Sequence, residues 1–235
     1  MTDEECRNGQ NEPELPGDGD AESGQNETSH KDSGKKGDEE VGKVYVTADT
    51  HFGDDGSIVR YEGRPFQNGG EMNEALIAGW NRVVGPEDTV YHLGDVVSGL
   101  GREETEAIVG RLNGHKILIM GNHDTIFSVR EWMEMGFEEV YSLPVIYQKF
   151  YILSHEPVYV NRAAPYANLF GHVHKNPAYR DVSCRSCCVC VERTDYVPVT
   201  FESIQKAIWE EEWKEQKAEK RRAEKQQIVP EKVPE

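Results

Sequence analysis

Five short runs of this 235-residue chain end in side chains that bind cations. The ends are Asp49-Thr50-His51, Gly94-Asp95, Gly121-Asn122-His123-Asp124, Ser154-His155 and Gly171-His172-Val173-His174. The runs that carry them are VYVTAD (44–49), TVYHLGD (89–95), KILIMGN (116–122), FYILSHE (150–156) and NLFGHVH (168–174). Such short β-branched and aromatic stretches read as buried strands. In an α/β sheet the carboxyl edge of the strands is where ligands sit, so five segments would converge on one crevice. Imidazole suits Zn, Fe, Ni or Mn, while carboxylate and carboxamide oxygens suit harder ions, and the mixture fits two divalent metals. Two cations about 3.5–4 Å apart need a bridging anion to relieve their repulsion. Asp95, alone after its glycine, is the natural shared carboxylate. Taken singly, a histidine after a strand is commonly structural and an Asp there commonly caps or turns. Five such ends in chain order, each behind an apolar run, agree as unrelated accidents would not.

The segments between the runs must position these ends. EMNEALIAGWNRVV (71–84) spaces Met72, Leu76, Trp80 and Val83 close to a 3.6 period. REETEAIVGRL (102–112) sets Thr105, Ile108, Val109 and Leu112 on one side, and Asn113-Gly114 ends it. TIFSVREWMEMG (125–136) reads as a third helix stopping at Gly136, with a hairpin-like stretch around Glu139–Phe150 after it and a late strand in CCVCVE (187–192). The order β-α-β-α-β-α followed by strands predicts an α/β sandwich with mixed sheets.

Charge marks the boundaries. Residues 1–43 hold 13 acidic and 5 basic side chains and almost no large apolar residue except Leu15, so they cannot bury enough surface to order and read as a disordered, dispensable extension. Residues 206–235 form a charged helix and tail. Across its start Phe201, Ile204, Ile208 and Trp209 sit at helical spacing behind Thr200 as N-cap, and beyond Trp213 the helix should project into solvent. Residues 44–205 remain as one sizeable core domain. The formal charge of −17 argues against duplex nucleic acid, which selects for Lys and Arg. No apolar run approaches the ~20 residues that span a bilayer, MTDEEC does not resemble a secretory leader, and five clustered cysteines do not make a disulfide framework, which together predict a cytoplasmic protein with no membrane partner.

With these residues in place, the chain resembles the calcineurin-like metallophosphoesterase superfamily over about residues 44–200. Asp49-x-His51, Gly94-Asp95, Gly121-Asn122-His123-Asp124, His155 and Gly171-His172-x-His174 look like its five blocks. TADTHFG, RPF, EMNEALIAGWNRVVGPEDTVYHLGD and RLNGHKILIMGNHD are similar to small phage and bacterial phosphoesterases. The resemblance implies a four-layered α-β-β-α sandwich with a dinuclear site, one metal held by Asp49, His51, Asp95 and His174 and the other by Asp95, Asn122, His155 and His172. It further implies His123 as a catalytic histidine outside the ligand set, oriented by Asp124, and attack on a phosphomono- or phosphodiester by a hydroxide bridging two ions (Mn, Fe, Zn or Ni). The substrate would be a small or nucleotide-like phosphoester. The alternative is a protein-interaction scaffold that keeps the fold without catalysis, although no ligand position or third-block histidine is lost here.

Three further features admit two readings each. Arg64-Pro65-Phe66, with Arg60 and Arg82 nearby in sequence, could offer a guanidinium to phosphate and a ring to a base, or form an ordinary surface loop. Cys184-x2-Cys187-Cys188-x-Cys190 could suggest zinc, but Cys188 and Cys190 face one side of a strand and Cys187 the other, as small apolar strand residues would. Asp54-Asp55-Gly56 could tune substrate charge or simply turn the chain.

Overall fold

The structure is a computed structural model that describes residues 42–54, 56–161, 163–176 and 185–227. All but two residues of the expected extension, together with Asp55, Cys184 and the last eight residues, lie outside the described residues.

The apolar runs form strands at the expected places, divided between two mixed sheets. In the first, β1 (Val44–Thr47), β2 (Thr89–His92), β3 (His115–Ile119) and β4 (Glu139–Tyr141) are parallel, and β9 (Val199–Thr200) pairs antiparallel with β1. In the second, β5 (Val145–Tyr147) runs antiparallel to β6 (Tyr151–Ser154), followed by parallel β7 (Ala167–Phe170) and β8 (Ser186–Cys188). The parallel registers make strand ends level: Thr47 lies opposite His92, His92 opposite Leu118, and Ser154 opposite Phe170. Pairing continues past the strands, with Asp49 N donating to Gly94 O at 3.0 Å and His51 N to Asp95 O at 3.1 Å. The residues after each strand therefore emerge at one edge.

Alternation along the strands builds two cores. Tyr45, Val90 and Leu118 face α2 (Gly69–Val83), α3 (Arg102–Val109) and α4 (Val129–Glu134), where Met72, Leu76, Trp80, Val109 and Trp132 are buried with them. Val46 and Ile119 face the other way and pack with Leu153 and Leu169 of the second sheet. A short α1 (Ser57–Tyr61) precedes α2. Asn68 caps α2 by accepting from Glu71 N at 2.9 Å.

Three expectations change. The stretch 139–150 is not a hairpin, because β4 extends the first sheet and β5 the second; the antiparallel pair is β5 with β6. The helix expected over 125–136 breaks into a 3-10 turn (Asp124–Ile126) and α4, since Ser128 restarts the helix with a reciprocal cap in which Glu131 Oε2 accepts from Ser128 N at 2.8 Å. In α5 (Phe201–Gln227), Thr200 Oγ1 does accept from Ser203 N, and Phe201, Ile204 and Ile208 are buried, but Trp209 is 66% exposed because it lies on a different face of the helix. Ile208→Ala is accordingly expected to cost about 2–5 kcal/mol by chemical denaturation, as truncation of a buried aliphatic does.

Candidate metal centre

A chain leaving a strand must turn sharply to aim its next side chains into a crevice. Asp49, His51, Asp95, His172 and His174 all do so with positive φ, between 47° and 68°. Non-glycine residues in this region cost of order 1 kcal/mol each, and such strain persists where function holds it. The small residues ahead of them make room. A Cβ on Gly121 would lie 2.3 Å from Asp95 Oδ1, and one on Gly171 would lie 2.4 Å from Asp49 Oδ2.

The side chains gather into groups whose donor atoms lie within 4.8 Å of one another: Asp49, His51 and His174; His51, Asp95 and His123; and Asp95, His155 and His172. His155 Nδ1 is 2.8 Å from the Leu93 carbonyl, which can only accept, so Nδ1 carries a proton and Nε2 is the nitrogen turned inward, to meet either a cation or a second proton. That Nε2 is 3.0 Å from Asn122 Oδ1, 3.1 Å from His172 Nδ1 and 3.4 Å from Asp95 Oδ2. On the other side, His51 Nε2 is 3.9 Å from Asp49 Oδ1 and 3.6 Å from Asp95 Oδ2, and His174 Nε2 is 3.7 Å from Asp49 Oδ1. Donors about 2.1 Å from a common cation stand about 3–3.4 Å apart, which matches the separations around His155 and is somewhat shorter than those on the His51 side. His51 Nε2 is moreover buried with no hydrogen-bond partner, which is costly unless something else satisfies it. All seven expected ligands are thus brought together, with Asp95 between the two sets.

The electrostatics are those of a cavity built to store positive charge. Burial raises the Asp49 carboxyl to about 6 and lowers the His51 imidazole to about 3. Burial opposes the ionised forms of Asp95 and His155 as well, but their mutual hydrogen bond and attraction win, taking Asp95 down to about 2 and His155 up to about 9. His51 is thus held neutral, whereas Asp49 and His155 must give up protons to take a cation.

His123 stands at the mouth. Its backbone N–H donates to Asp95 Oδ1 at 2.9 Å, its ring is edge-on to His51 at 5.1 Å, and its side of the cleft is exposed. Asp124 does not orient it. The buried Asp124 carboxylate instead accepts from three backbone N–H groups, of Asp95 at 2.7 Å, Gly121 at 2.8 Å and Val96 at 2.9 Å. It fixes the loops on which Asp95 and Asn122 ride, and burial raises its pKa.

Arg64 also departs from expectation. It is buried, donating from Nη1 to Thr50 O at 2.9 Å, from Nη2 to Asp49 O at 2.7 Å and from Nε to Glu192 Oε1 at 2.8 Å. A guanidinium so committed has its donors claimed within the chain and is not offered to phosphate. Its partner Glu192 was not singled out from the sequence, although it closes the run CCVCVE as the ligands close theirs. Glu192 Oε1 is 2.9 Å from His174 Nδ1 and so leaves His174 Nε2 facing Asp49. Burial would raise the Glu192 carboxyl, but the hydrogen bond from His174 and the Arg64 charge bring it to about 2. Asp54 forms a turn, accepting from Gly56 N and Ile58 N, each at 2.8 Å. Cys188 and Cys190 face one side, with Sγ atoms 3.2 Å apart, and Cys187 is half-buried on the other.

Residues 42–228 match the family model described as calcineurin-like phosphoesterase. An uncharacterized protein of Methanocaldococcus jannaschii is 31% identical over 170 residues, 71% of this chain and 91% of that one. The gene 66 protein of Mycobacterium phage L5 is 34% identical over 87 residues, 36% of this chain and 41% of its own. A crystal structure of a protein of unknown function from Aquifex aeolicus superposes with a TM-score of 0.53 at 26% identity, over 70% of this chain and 98% of the other. No helix among the described residues is long and apolar enough to cross a membrane.

Proposed function

This chain belongs to the calcineurin-like phosphoesterase family, and from that premise we propose that it is a metal-dependent phosphohydrolase holding two divalent ions. The observation that carries the reading is the convergence of seven donors into two sets that share Asp95. Asp49, His51, Asp95 and His174 would hold one ion, and Asp95, Asn122, His155 and His172 the other. When bound, such a pair of ions supplies Lewis acidity toward phosphoryl oxygens and lowers the pKa of water.

The rest is the work of the chain. Asp49 and Asp95 are the only carboxylates among the seven donors, so two dications leave the cleft positive and suited to an anionic ester. Glu192 adds no net charge, because Arg64 pairs with it. Leu93 O and Glu192 hold His155 and His174 in the tautomers that present Nε2 inward. His123, exposed beside Asp95, is placed to give a proton to the leaving oxygen. No serine or cysteine nucleophile is needed. The open mouth at His123 and His172 and the chain's formal charge of −17 favour a small or end-exposed phosphoester over a duplex.

Hydrolysis of bis-p-nitrophenyl phosphate and of a panel of nucleotide mono- and diesters, with added Mn²⁺ and again with chelator, tests this reading. Turnover with metal that the chelator abolishes is expected; no turnover with Mn²⁺, Ni²⁺, Zn²⁺ or Fe²⁺ would leave a scaffold. Glu192→Gln is expected to weaken metal retention about 10- to 100-fold, read as ion content across a chelator series, because the partner that orients His174 loses its charge.

A further inference from the structure

Thr50 sits between Asp49 and His51, two ligands of one donor set whose backbones turn at positive φ, 60° and 49°. A backbone held in that region persists only where its surroundings over-determine it. Here the main chain is tied three times: Asp49 N donates to Gly94 O, His51 N to Asp95 O, and Arg64 Nη1 to Thr50 O. The Thr50 side chain is tied as well. Its hydroxyl donates to Val96 O at 2.8 Å, and His92 Nε2 lies 3.0 Å from the same oxygen. A hydroxyl has one proton, so with that proton on Val96 O it accepts from His92 Nε2–H.

His92 is an unusual residue for its place. It is 1% exposed near the end of β2, on the face that carries Val90 toward the helices, with the Trp80 indole of α2 stacked along it at 6.5 Å. Its other nitrogen, Nδ1, is buried with no hydrogen-bond partner. An unpaired polar atom in an apolar core is costly, and a leucine there would avoid that cost. Packing therefore does not account for an imidazole at this position, whereas the bond to Thr50 does. That bond also reaches both loops that carry donors. Thr50 follows β1, and Val96 follows Asp95 after β2, where the Asp124 carboxylate holds Val96 N at 2.9 Å. Asp124 fixes the second loop, the Thr50 hydroxyl fastens the first loop to it, and His92 sets the direction in which that hydroxyl points.

Resting on the metal-centre reading above, we propose that His92 is a positioning residue that acts through the Thr50 hydroxyl to hold Asp49 and His51 in the turn that presents them to an ion. It belongs to neither donor set and, buried as it is, does not reach substrate. Partners of this kind, one bond removed from the ligands, typically change metal affinity about 10- to 100-fold. The fold itself does not need the imidazole, so metal retention and stability should respond to its removal in different ways.

Two measurements on the full chain test the proposal together: ion content of the Mn²⁺-loaded protein across a chelator series, and chemical denaturation of the metal-free protein, where ion binding cannot mask the result. His92→Leu is expected to unfold at the wild-type denaturant concentration or a higher one, yet to release one of its two ions at about 10-fold lower chelator. Thr50→Val, which keeps the shape and removes the hydroxyl, should lose an ion to the same extent. Combining the two changes should cost retention nothing further, because both cut one chain of bonds. His92→Gln, whose amide N–H can take the place of Nε2–H, should keep both ions. Wild-type retention in His92→Leu would overturn the proposal, and so would retention losses that add in the double variant. A lower unfolding midpoint with both ions held as tightly as in the wild type would make His92 merely structural. If His92→Leu does not fold, Thr50→Val and His92→Gln decide the matter: retention unchanged in the first, or lost in the second, overturns the proposal. A wild type that binds no Mn²⁺ would instead overturn the metal-centre reading, and the proposal with it.

Discussion

Asp95→Asn is expected to reduce bound metal from two ions per chain to one or none and to abolish turnover, a larger loss than any change at a terminal ligand. Asp95 reaches both donor sets, 3.6 Å from His51 Nε2 and 3.4 Å from His155 Nε2. It is also one of only two carboxylates among the donors. An amide there keeps the shape and the hydrogen bond from His123 N, but it cannot offset two cations at close range. The protein should still fold, because Asp124 continues to hold the backbone of Asp95 and Val96. Asp49→Asn and His172→Ala serve as comparisons, each expected to cost mainly the ion on its own side. Elemental analysis of the purified variants reads the difference.

His123→Ala should separate chemistry from metal binding. The imidazole is not needed to complete either four-donor set, so both ions are expected to remain. Turnover on alkyl or nucleoside esters should fall about 10²- to 10⁴-fold, the usual contribution of a general acid. A p-nitrophenolate leaving group needs little protonation, so its hydrolysis should fall much less. Equal losses on both leaving groups would assign His123 to binding the phosphate. Loss of an ion would make it a ligand, as its place in the group with His51 and Asp95 allows.

What could be read from the sequence and what could not differ in kind. The convergence of the candidate ligands was legible because each ends an apolar run, and a parallel sheet brings such ends to one edge whatever the loops between them do. Their backbone at positive φ leaves only a weak mark in residue type, since Asp and His enter that region more often than other non-glycine residues but far less freely than glycine. Roles that depend on contact across long separations were not legible. Arg64 reads as a surface residue until Glu192, 128 positions away, and the Asp49 and Thr50 carbonyls are seen to claim its donors. Asp124 beside His123 suggested an orienting pair, yet its carboxylate points at three backbone N–H groups. The stretch 139–150 showed two strands and could not show that they join different sheets. On α5 the spacing of Trp209 was too close to that of Ile208 for periodicity alone to place them on different faces, and burial decides it.

The dinuclear assignment is tested most directly by anomalous diffraction from crystals of the full chain grown with Mn²⁺. Two peaks about 3.5–4 Å apart are expected, one among Asp49, His51 and His174 and the other among Asn122, His155 and His172, with Asp95 touching both and His123 touching neither. A single peak, or two peaks that do not share Asp95, would contradict it.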